Sequence, residues 1–382
     1  MDLKRRYKAG LMRILFLTGG FGVTSETFIY NRVLSWVKQG HKLQVVTLKR
    51  QQPDLFPFDH VAELSRPNLL ERLQEKIARR LGTANVIKYA AVYQKQLEAK
   101  IKEFKPERIH AEFGNMGALI APLCHQHKIP LSVFMHAFDI TELPYKDTRW
   151  SQAYKTMFDI AEVIHTPSEF MRQKVIELGA PEQLVRVTHN SIDTSKWTYS
   201  DPTQRFDGQT VRFLFVGRLV EKKGPIQLLK AFQKCISCLP DSLYAHLTIC
   251  GSGPLEKKVA EFVKALKLEQ QVKLVGSCSH RQVREYMTQA HILVQHSVTT
   301  KDGDMEGLPV SLTEAAASGL PIISTRHSGI PEVVRHGING YLVEENDIDG
   351  MAKYMCELAQ DPELWLHFGQ NGHKLIQKEF AL

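Results

Sequence analysis

No apolar run in the 382-residue chain approaches the roughly 20 residues that a membrane-spanning helix needs. The basic opening, MDLKRRYKAGLMRILFLTGG, leads into an apolar run of only about seven residues, short even for a signal peptide. Its Lys4-Arg5-Arg6 cluster has two readings, a tail touching anionic lipid or a solvated extension ahead of a start near Met12. Cysteine is scarce. The six cysteines show no metal-type spacing beyond Cys235-x-x-Cys238 in the helix-like stretch AFQKCISCL, where packed thiols are expected rather than a zinc or redox site. This pattern points to a reducing cytoplasm and to no resident metal. Low-complexity tracts are missing too, and with 43% hydrophobic residues the chain buries enough surface to exclude disorder. An excess of 49 Lys+Arg over 41 Asp+Glu, a net +8, favours phosphates, nucleic acid or an acidic membrane surface. With no aromatic platform and no recognised module, nucleic acid is the weakest of these.

What is present is a rhythm. Short apolar runs (MRILFLT, KLQVVTL, RIHAEF, PLSVFMHA, AEVIHTPS, VRVTHNS) alternate with helix-like stretches such as Thr27 to Gln39. Such βαβ alternation predicts an α/β chain with mostly parallel sheets, and ligands at the carboxyl ends of the strands. The rhythm pauses at Trp197 to Thr210, WTYSDPTQRFDGQT, which reads as a linker. It restarts with VRFLFVGRL, HLTICGSG, VKLVGSC, HILVQHS, PIISTR and GYLVE, with helices expected at Pro225 to Leu239, Leu255 to Leu266, Arg281 to Ala290 and Pro309 to Ser318. The expected organisation is therefore a Rossmann-like domain over 1–200, a second over 201–365, a terminal helix over 366–382, and a ligand cleft between the two domains. From Leu69 to Lys105, basic residues punctuate apolar positions, as in a helix that lies on a bilayer or in a solvated helix face.

Four stretches carry chemistry. In Glu306-Gly-Leu-Pro-Val-Ser-Leu-Thr-Glu314, Pro309 suits the first turn of a helix. Glu306 then lies in the preceding loop and Glu314 two turns in, near free N–H groups that favour an anion. Two carboxylates so placed are suited to gripping hydroxyls of a sugar and of a ribose. The loop Val216-Gly-Arg218-Leu-Val-Glu-Lys-Lys223-Gly224 follows the first strand of the second unit, where fixed cations stabilise a diphosphate leaving group: Arg218 as a fork, Lys223 as a point charge. Gly19-Gly20-Phe21-Gly22 reads as a tight loop after the first strand. It is not G-x-G-x-x-G, and Lys49 and Arg50 stand where a ribose-binding carboxylate belongs, which argues against a dehydrogenase. His136 and Asp139 close the fourth apolar run, placing an imidazole at a strand end.

Together these residues resemble the family 4 glycosyltransferases over nearly the whole chain. The E-x7-E element reads Glu306 to Glu314, the phosphate-binding pair Arg218 and Lys223, and Ser25-Glu-Thr-Phe-Ile29 looks like the subset that builds exopolysaccharides such as colanic acid or amylovoran. The resemblance implies the GT-B fold of two facing Rossmann-like domains and a metal-independent, retaining transfer from a nucleotide diphosphate sugar, commonly uridine-linked, to a glycan or lipid-linked acceptor. By the same resemblance Arg218 and Lys223 would bind the diphosphate, Glu306 a sugar hydroxyl and Glu314 the ribose. Gly307, Leu308 and Pro309 would present backbone to sugar and phosphate, Gly20 would line the acceptor side, His136 would stand beside the donor sugar, and Asn190 would match the asparagine of a turn, here Asn190-Ser-Ile-Asp193. Three positions depart from the family pattern: Ala137 and Ser191 replace glycines, and Glu112 in HAEFG sits where a second histidine is frequent. The chain ends at QKEFAL, where relatives often continue across the first domain, so a shortened terminus is one reading. An epimerase or hydrolase on the same fold would need further acid and base groups. An inactive scaffold would be expected to lose Glu306, Arg218 or Lys223.

Overall fold

Continuous apolar runs become parallel strands covered on both faces. The computed structural model describes residues 10–381 and divides into two units between Thr188 and His189; Lys4-Arg5-Arg6 lies outside the described residues. In the first unit β1 (Arg13–Phe21), α1 (Thr27–Lys38), β2 (Lys42–Arg50), β3 (Val61–Glu63), α2 (Leu69–Arg80), α3 (Ala90–Phe104), β4 (Arg108–Glu112), α4 (Gly114–His127), β5 (Leu131–Phe134), α5 (Leu143–Lys146), α6 (Arg149–Ile160), β6 (Val163–Thr166), α7 (Glu169–Glu177) and β7 (Val185–Val187) follow in order. The strands form one parallel sheet, β3-β2-β1-β4-β5-β6-β7. The order reverses at β1. The carboxyl ends of β1 and β4 therefore flank the crevice where doubly wound sheets bind ligands.

The second unit repeats the plan. β8 (Thr210–Val216), α8 (Pro225–Cys238), β9 (Tyr244–Cys250), α9 (Glu256–Ala265), β10 (Val272–Gly276), α10 (His280–Gln289), β11 (Ile292–Val294), α11 (Val310–Ala317), β12 (Ile322–Thr325), α12 (Ile330–Val333), β13 (Gly340–Val343), α13 (Ile348–Gln360) and α14 (Pro362–Glu379) build a parallel sheet of order β10-β9-β8-β11-β12-β13. Alternate residues of β8 enter different cores: Phe213 and Phe215 pack with Phe232, Met351 and Trp365, and Leu214 packs with Leu293, Leu312 and Ile376. Each such fully buried side chain contributes about 1.5–3 kcal/mol. The order reverses at β8, so the loops after β8 and β11 meet at a second crevice.

The structure differs from the sequence expectation in four places. The short edge strand β3 makes β5 the fifth strand, and β5 ends at Phe134, so His136 lies two residues beyond it and Asp139 in a π-helical turn over Phe138–Glu142. The stretch from Leu69 to Lys105 is two helices, parted at residues 81–89. The segment read as a linker is woven into the second unit: Trp197 is buried in its core, Ser200 N–H donates to Ser318 O at 3.1 Å, Arg205 Nε donates to Ala290 O at 2.7 Å, and Phe206 packs on Trp365. The terminal helix α14 belongs there too, with Trp365, Phe368, Ile376 and Phe380 buried. All six cysteines are free; Cys235 is buried in α8 and Cys238 exposed at its end. Among the described residues no helix is long and apolar enough to cross a membrane.

Candidate active site

At the carboxyl ends of β4 and β5 a charged cluster is sealed into the first unit. Glu112, the last residue of β4, has no solvent exposure. Arg32, carried in from α1, donates through Nη1 to both of its oxygens at 2.7 Å. His136 Nε2 lies 2.8 Å from Oε1 and His110 Nε2 lies 3.1 Å from Oε2. Burial opposes ionisation of Glu112, but Arg32 and the two imidazole hydrogen bonds more than offset it and hold its carboxyl well below the usual range. An ionised carboxylate only accepts, so both Nε2 atoms carry the proton and Glu112 uses its full capacity of about four acceptor sites. Burial lowers both histidines from their ordinary value, leaving neutral rings. His110 Nδ1 then accepts from Ser132 Oγ at 2.8 Å, and His136 keeps Nδ1 as an acceptor. Phe28, Phe113 and Phe134 pack around His136 with centroids 4.6–4.8 Å away.

Asp139 is also fully buried. Its Oδ2 accepts from the backbone N–H groups of Gly114 at 2.8 Å and His136 at 3.0 Å, which fixes the His136 turn against the start of α4. Its Oδ1 has no partner among the described residues. Burial pushes the carboxyl up to about 7, so near neutrality the orphan oxygen carries a proton for much of the time. Gly20 corrects its expected placement. β1 runs through Gly19 and Gly20, with Gly20 paired to Lys49, and the turn is made by Gly22 at φ +86°, where a Cβ would stand 2.1 Å from Gln51 O.

The second unit holds the remaining residues, most of them on the loops that follow β8 and β11. A 3-10 turn over Glu221–Lys223 is closed by Gly224 at φ +58°, and Pro225 opens α8. Only glycine fits, because a Cβ there would lie 1.7 Å from His296 O. Lys223 lays its Cδ and Cε over Gly217, where a Cβ would come within 3.3 Å of both, and its Nζ meets Glu306 Oε2 at 3.1 Å. The second oxygen of Glu306, Oε1, is buried with no partner among the described residues. The Glu306 loop is held from two sides. Lys222 Nζ bonds Asp304 Oδ1 at 2.8 Å and Met305 O at 3.1 Å, while the Glu306 N–H donates to His327 Nε2 at 3.0 Å. That bond makes Nδ1 of His327 the protonated nitrogen, which donates to Glu345 Oε1 at 2.5 Å. Arg218 is exposed, with no ion pair among the described residues.

Pro309 is the extended residue that precedes α11, one position before the helix expected to start there. Leu308 is buried in the core, and the Gly307 carbonyl accepts from Ser328 Oγ at 3.2 Å and Gly329 N at 3.3 Å, so that carbonyl is committed to the fold. Glu314, on buried α11, is pushed up to about 8 by burial, against the pull of Arg284 and Lys223. Asn190 is buried in the second unit just before Ile192, whose N–H donates to Phe380 O at 3.0 Å. Asp193 of the same turn caps Thr194–Lys196 and so has a structural task. The second unit thus holds Arg218, Lys223, Glu306, Gly307, Leu308, Pro309, Glu314 and Asn190, whereas Gly20 and His136 belong to the first. Sequence reasoning missed Arg32, Lys222, His327 and Glu345, and treated Glu112 as a mere departure.

Two family models match successive parts of the chain, Glycosyltransferase Family 4 over residues 25–196 and Glycosyl transferases group 1 over residues 198–375. The amylovoran biosynthesis glycosyltransferase AmsK of Erwinia amylovora is 30% identical, with 91% of each chain covered. The chain is a family 4 glycosyltransferase. A second relative of this glycosyltransferase, the putative colanic acid biosynthesis glycosyltransferase WcaL of Salmonella typhimurium, is 25% identical, again with 91% of each chain covered. Among solved structures, Anabaena HepE in complex with UDP-glucose superposes with a TM-score of 0.76 at 17% identity, over 97% of this chain and 96% of that one. This likeness shows the GT-B fold, in agreement with the two parallel, doubly wound sheets.

Proposed function

We propose that this glycosyltransferase, of hexosyltransferase type, moves a sugar from a UDP-linked donor onto a glycan or polyprenyl-diphosphate-linked acceptor in exopolysaccharide assembly, with retention and without a resident metal. The observation that carries the reading is the Lys223–Glu306 pair at the β8 crevice: a fixed cation beside a buried carboxylate that still has one unpartnered oxygen. A sugar hydroxyl donating to Glu306 Oε1 completes that carboxylate. Lys223 and the uncommitted fork of Arg218 compensate charge on the diphosphate as the anomeric C–O bond breaks. The acceptor oxygen bonds the anomeric carbon on the same face, and its proton passes to the departing phosphate oxygen. Glu314 accepts from the ribose, Asn190 and the backbone at Gly307, Leu308 and Pro309 line the donor site, His136 Nδ1 accepts from a sugar hydroxyl, and Gly20 lies on the acceptor side.

Support from outside the chain comes from the exopolysaccharide names of the relatives and from UDP and UDP-glucose in the HepE structures. A cytoplasmic enzyme, peripheral at the inner face of the membrane, is part of the same reading. The test is a thermal-shift panel of nucleoside diphosphates and their sugars with EDTA present, run beside turnover of Arg218→Ala, Lys223→Ala and Glu306→Ala. Stabilisation by the uridine series that Lys223→Ala abolishes, with turnover down roughly a hundredfold in each folded variant, is the expected result. No shift with any nucleotide, or near-normal rates, would refute the proposal.

A further inference from the structure

Helix α2 is turned the wrong way round for a helix that belongs to a core. Its apolar positions Leu69, Leu70, Leu73 and Ile77, continued by Leu81, fall on one side at helical spacing, and all are exposed, Leu69 by 82%, Leu70 by 72% and Leu81 by 71%. No residue of the helix is buried. The half-buried residues are Glu71, Glu75 and Ala78, on the opposite side. A surface helix normally presents its apolar stripe to the protein; here the leucines face outward.

The helix is nonetheless well specified. Asn68 and Glu71 form a reciprocal capping box, with the Glu71 N–H donating to Asn68 Oδ1 at 2.9 Å and the Asn68 N–H donating to Glu71 Oε2 at 2.7 Å. An exposed leucine stripe on a capped helix needs an occupant. The charges around it indicate which. Lys76 and Arg80 border the stripe, Arg72 and Arg79 lie farther round on the same side with Arg79 Nη2 paired to Glu75 Oε1 at 2.7 Å, and the exposed Arg66 precedes the helix. At 12 residues, about 18 Å long, the helix is too short to cross a bilayer but suits one lying in its surface, leucines among the acyl chains and cations at the phosphates.

We infer that α2 is a membrane-surface helix that docks the first unit on an anionic phospholipid bilayer through Leu69, Leu70, Leu73, Ile77 and Leu81, with Lys76 and Arg80 on the lipid phosphates. The inference rests on the peripheral location proposed above and names the element responsible for it. A second copy of the chain is the competing occupant, but the one-sided row of cations would face itself across a symmetric contact.

The experiment is co-sedimentation of the full chain with vesicles of phosphatidylcholine alone or with roughly 30 mol% phosphatidylglycerol. Expected is binding to the anionic vesicles that weakens as salt rises from about 0.1 M to about 0.5 M. Leu69→Ser/Leu73→Ser/Ile77→Ser and Lys76→Glu/Arg80→Glu should each lower the partition coefficient tenfold or more. Both variants alter exposed side chains, so the nucleotide-induced thermal shift should stay at its normal size. Anionic-vesicle binding that survives both variants overturns the assignment to α2 and leaves the peripheral location standing. No binding by the unaltered chain overturns both, and a dimer in sedimentation equilibrium that the leucine variant dissociates assigns the face to a second copy instead.

Discussion

Removal of the Glu112 carboxylate is the sharpest perturbation the first unit offers. In Glu112→Ala the Arg32 guanidinium loses both 2.7 Å contacts, and His110 and His136 lose the acceptor for their Nε2 protons. Arg32 Cζ remains 3.8 Å from the Phe134 ring centroid, a contact that compensates only a small part of a desolvated charge. Breaking a buried pair by deleting one partner costs about 3–5 kcal/mol, because the remaining charge loses its counter-ion. For a unit of this size, each kcal/mol moves the midpoint by about 2–4 °C, so the transition of the first unit should fall by roughly 6–20 °C. Calorimetry is the assay, since two units need not unfold together.

The pair should also fail additivity. Arg32→Leu alone leaves a buried carboxylate, Glu112→Leu alone leaves a buried guanidinium, and the double variant leaves neither, so the cycle should show a coupling of at least about 1.5 kcal/mol. Independent effects within about 0.5 kcal/mol, or a loss below about 1 kcal/mol for Glu112→Ala, would refute the account of Glu112 as a saturated hub.

Other perturbations probe the second unit and the pH response. Burial holds Glu314 up at about 8; on the proposed reading ribose hydroxyls donate to its ionised form, so nucleotide affinity should rise with pH from about 6 to about 8, approaching tenfold per unit. Glu314→Gln should flatten that profile in a calorimetric titration; a profile already flat in the unaltered enzyme would separate Glu314 from the ribose. Asp139, raised to about 7, acts with Glu314 on stability. Between the ordinary carboxyl value of about 4 and these raised values the native state binds more protons than the unfolded one at these two groups, so their contribution to stability is full below about pH 4 and is lost as pH rises to about 8. Asp139→Asn should reduce that decline, measured as unfolding free energy against pH. Gly224→Ala places a Cβ 1.7 Å from His296 O at φ +58°; left-handed strain of about 1–2 kcal/mol adds to the displaced backbone, for a loss of at least about 2 kcal/mol together with loss of the Lys223 position.

Much of this was legible in the sequence because parallel strands write themselves as unbroken apolar runs, and because Gly224-Pro225 and Gly307-Leu-Pro309 punctuate the chain where loops meet the strand ends. What escaped depends on distance along the chain. Val61–Glu63 is too short to show a period, and its edge position asks for no apolar run. Trp197 and Phe206 were the signal that the polar segment around them packs into the second unit. Arg32 and Glu112 stand 80 residues apart, and nothing local pairs them. A clue did exist: the strand RIHAE carries His110 and Glu112 at positions that a parallel sheet buries, and a buried charge implies a partner elsewhere.

The buried carboxylates then separate by what remains unsatisfied. Glu112 accepts four contacts from three donors, Arg32 Nη1, His110 Nε2 and His136 Nε2, and has no acceptor capacity left for a substrate, so its replacement of a histidine frequent in the family strengthens the scaffold beneath His136 and adds no ligand contact. Asp139 spends one oxygen on two backbone N–H groups, and burial raises its carboxyl to about 7, which lowers the cost of leaving the other oxygen unpartnered by favouring the uncharged form. Glu306 has neither remedy, with Lys223 on one oxygen and nothing on the other. A buried acceptor left open costs about 1–3 kcal/mol. A hydroxyl that closed it would recover that cost on binding, which is why the proposed function places the sugar at the incomplete carboxylate and not at the saturated one.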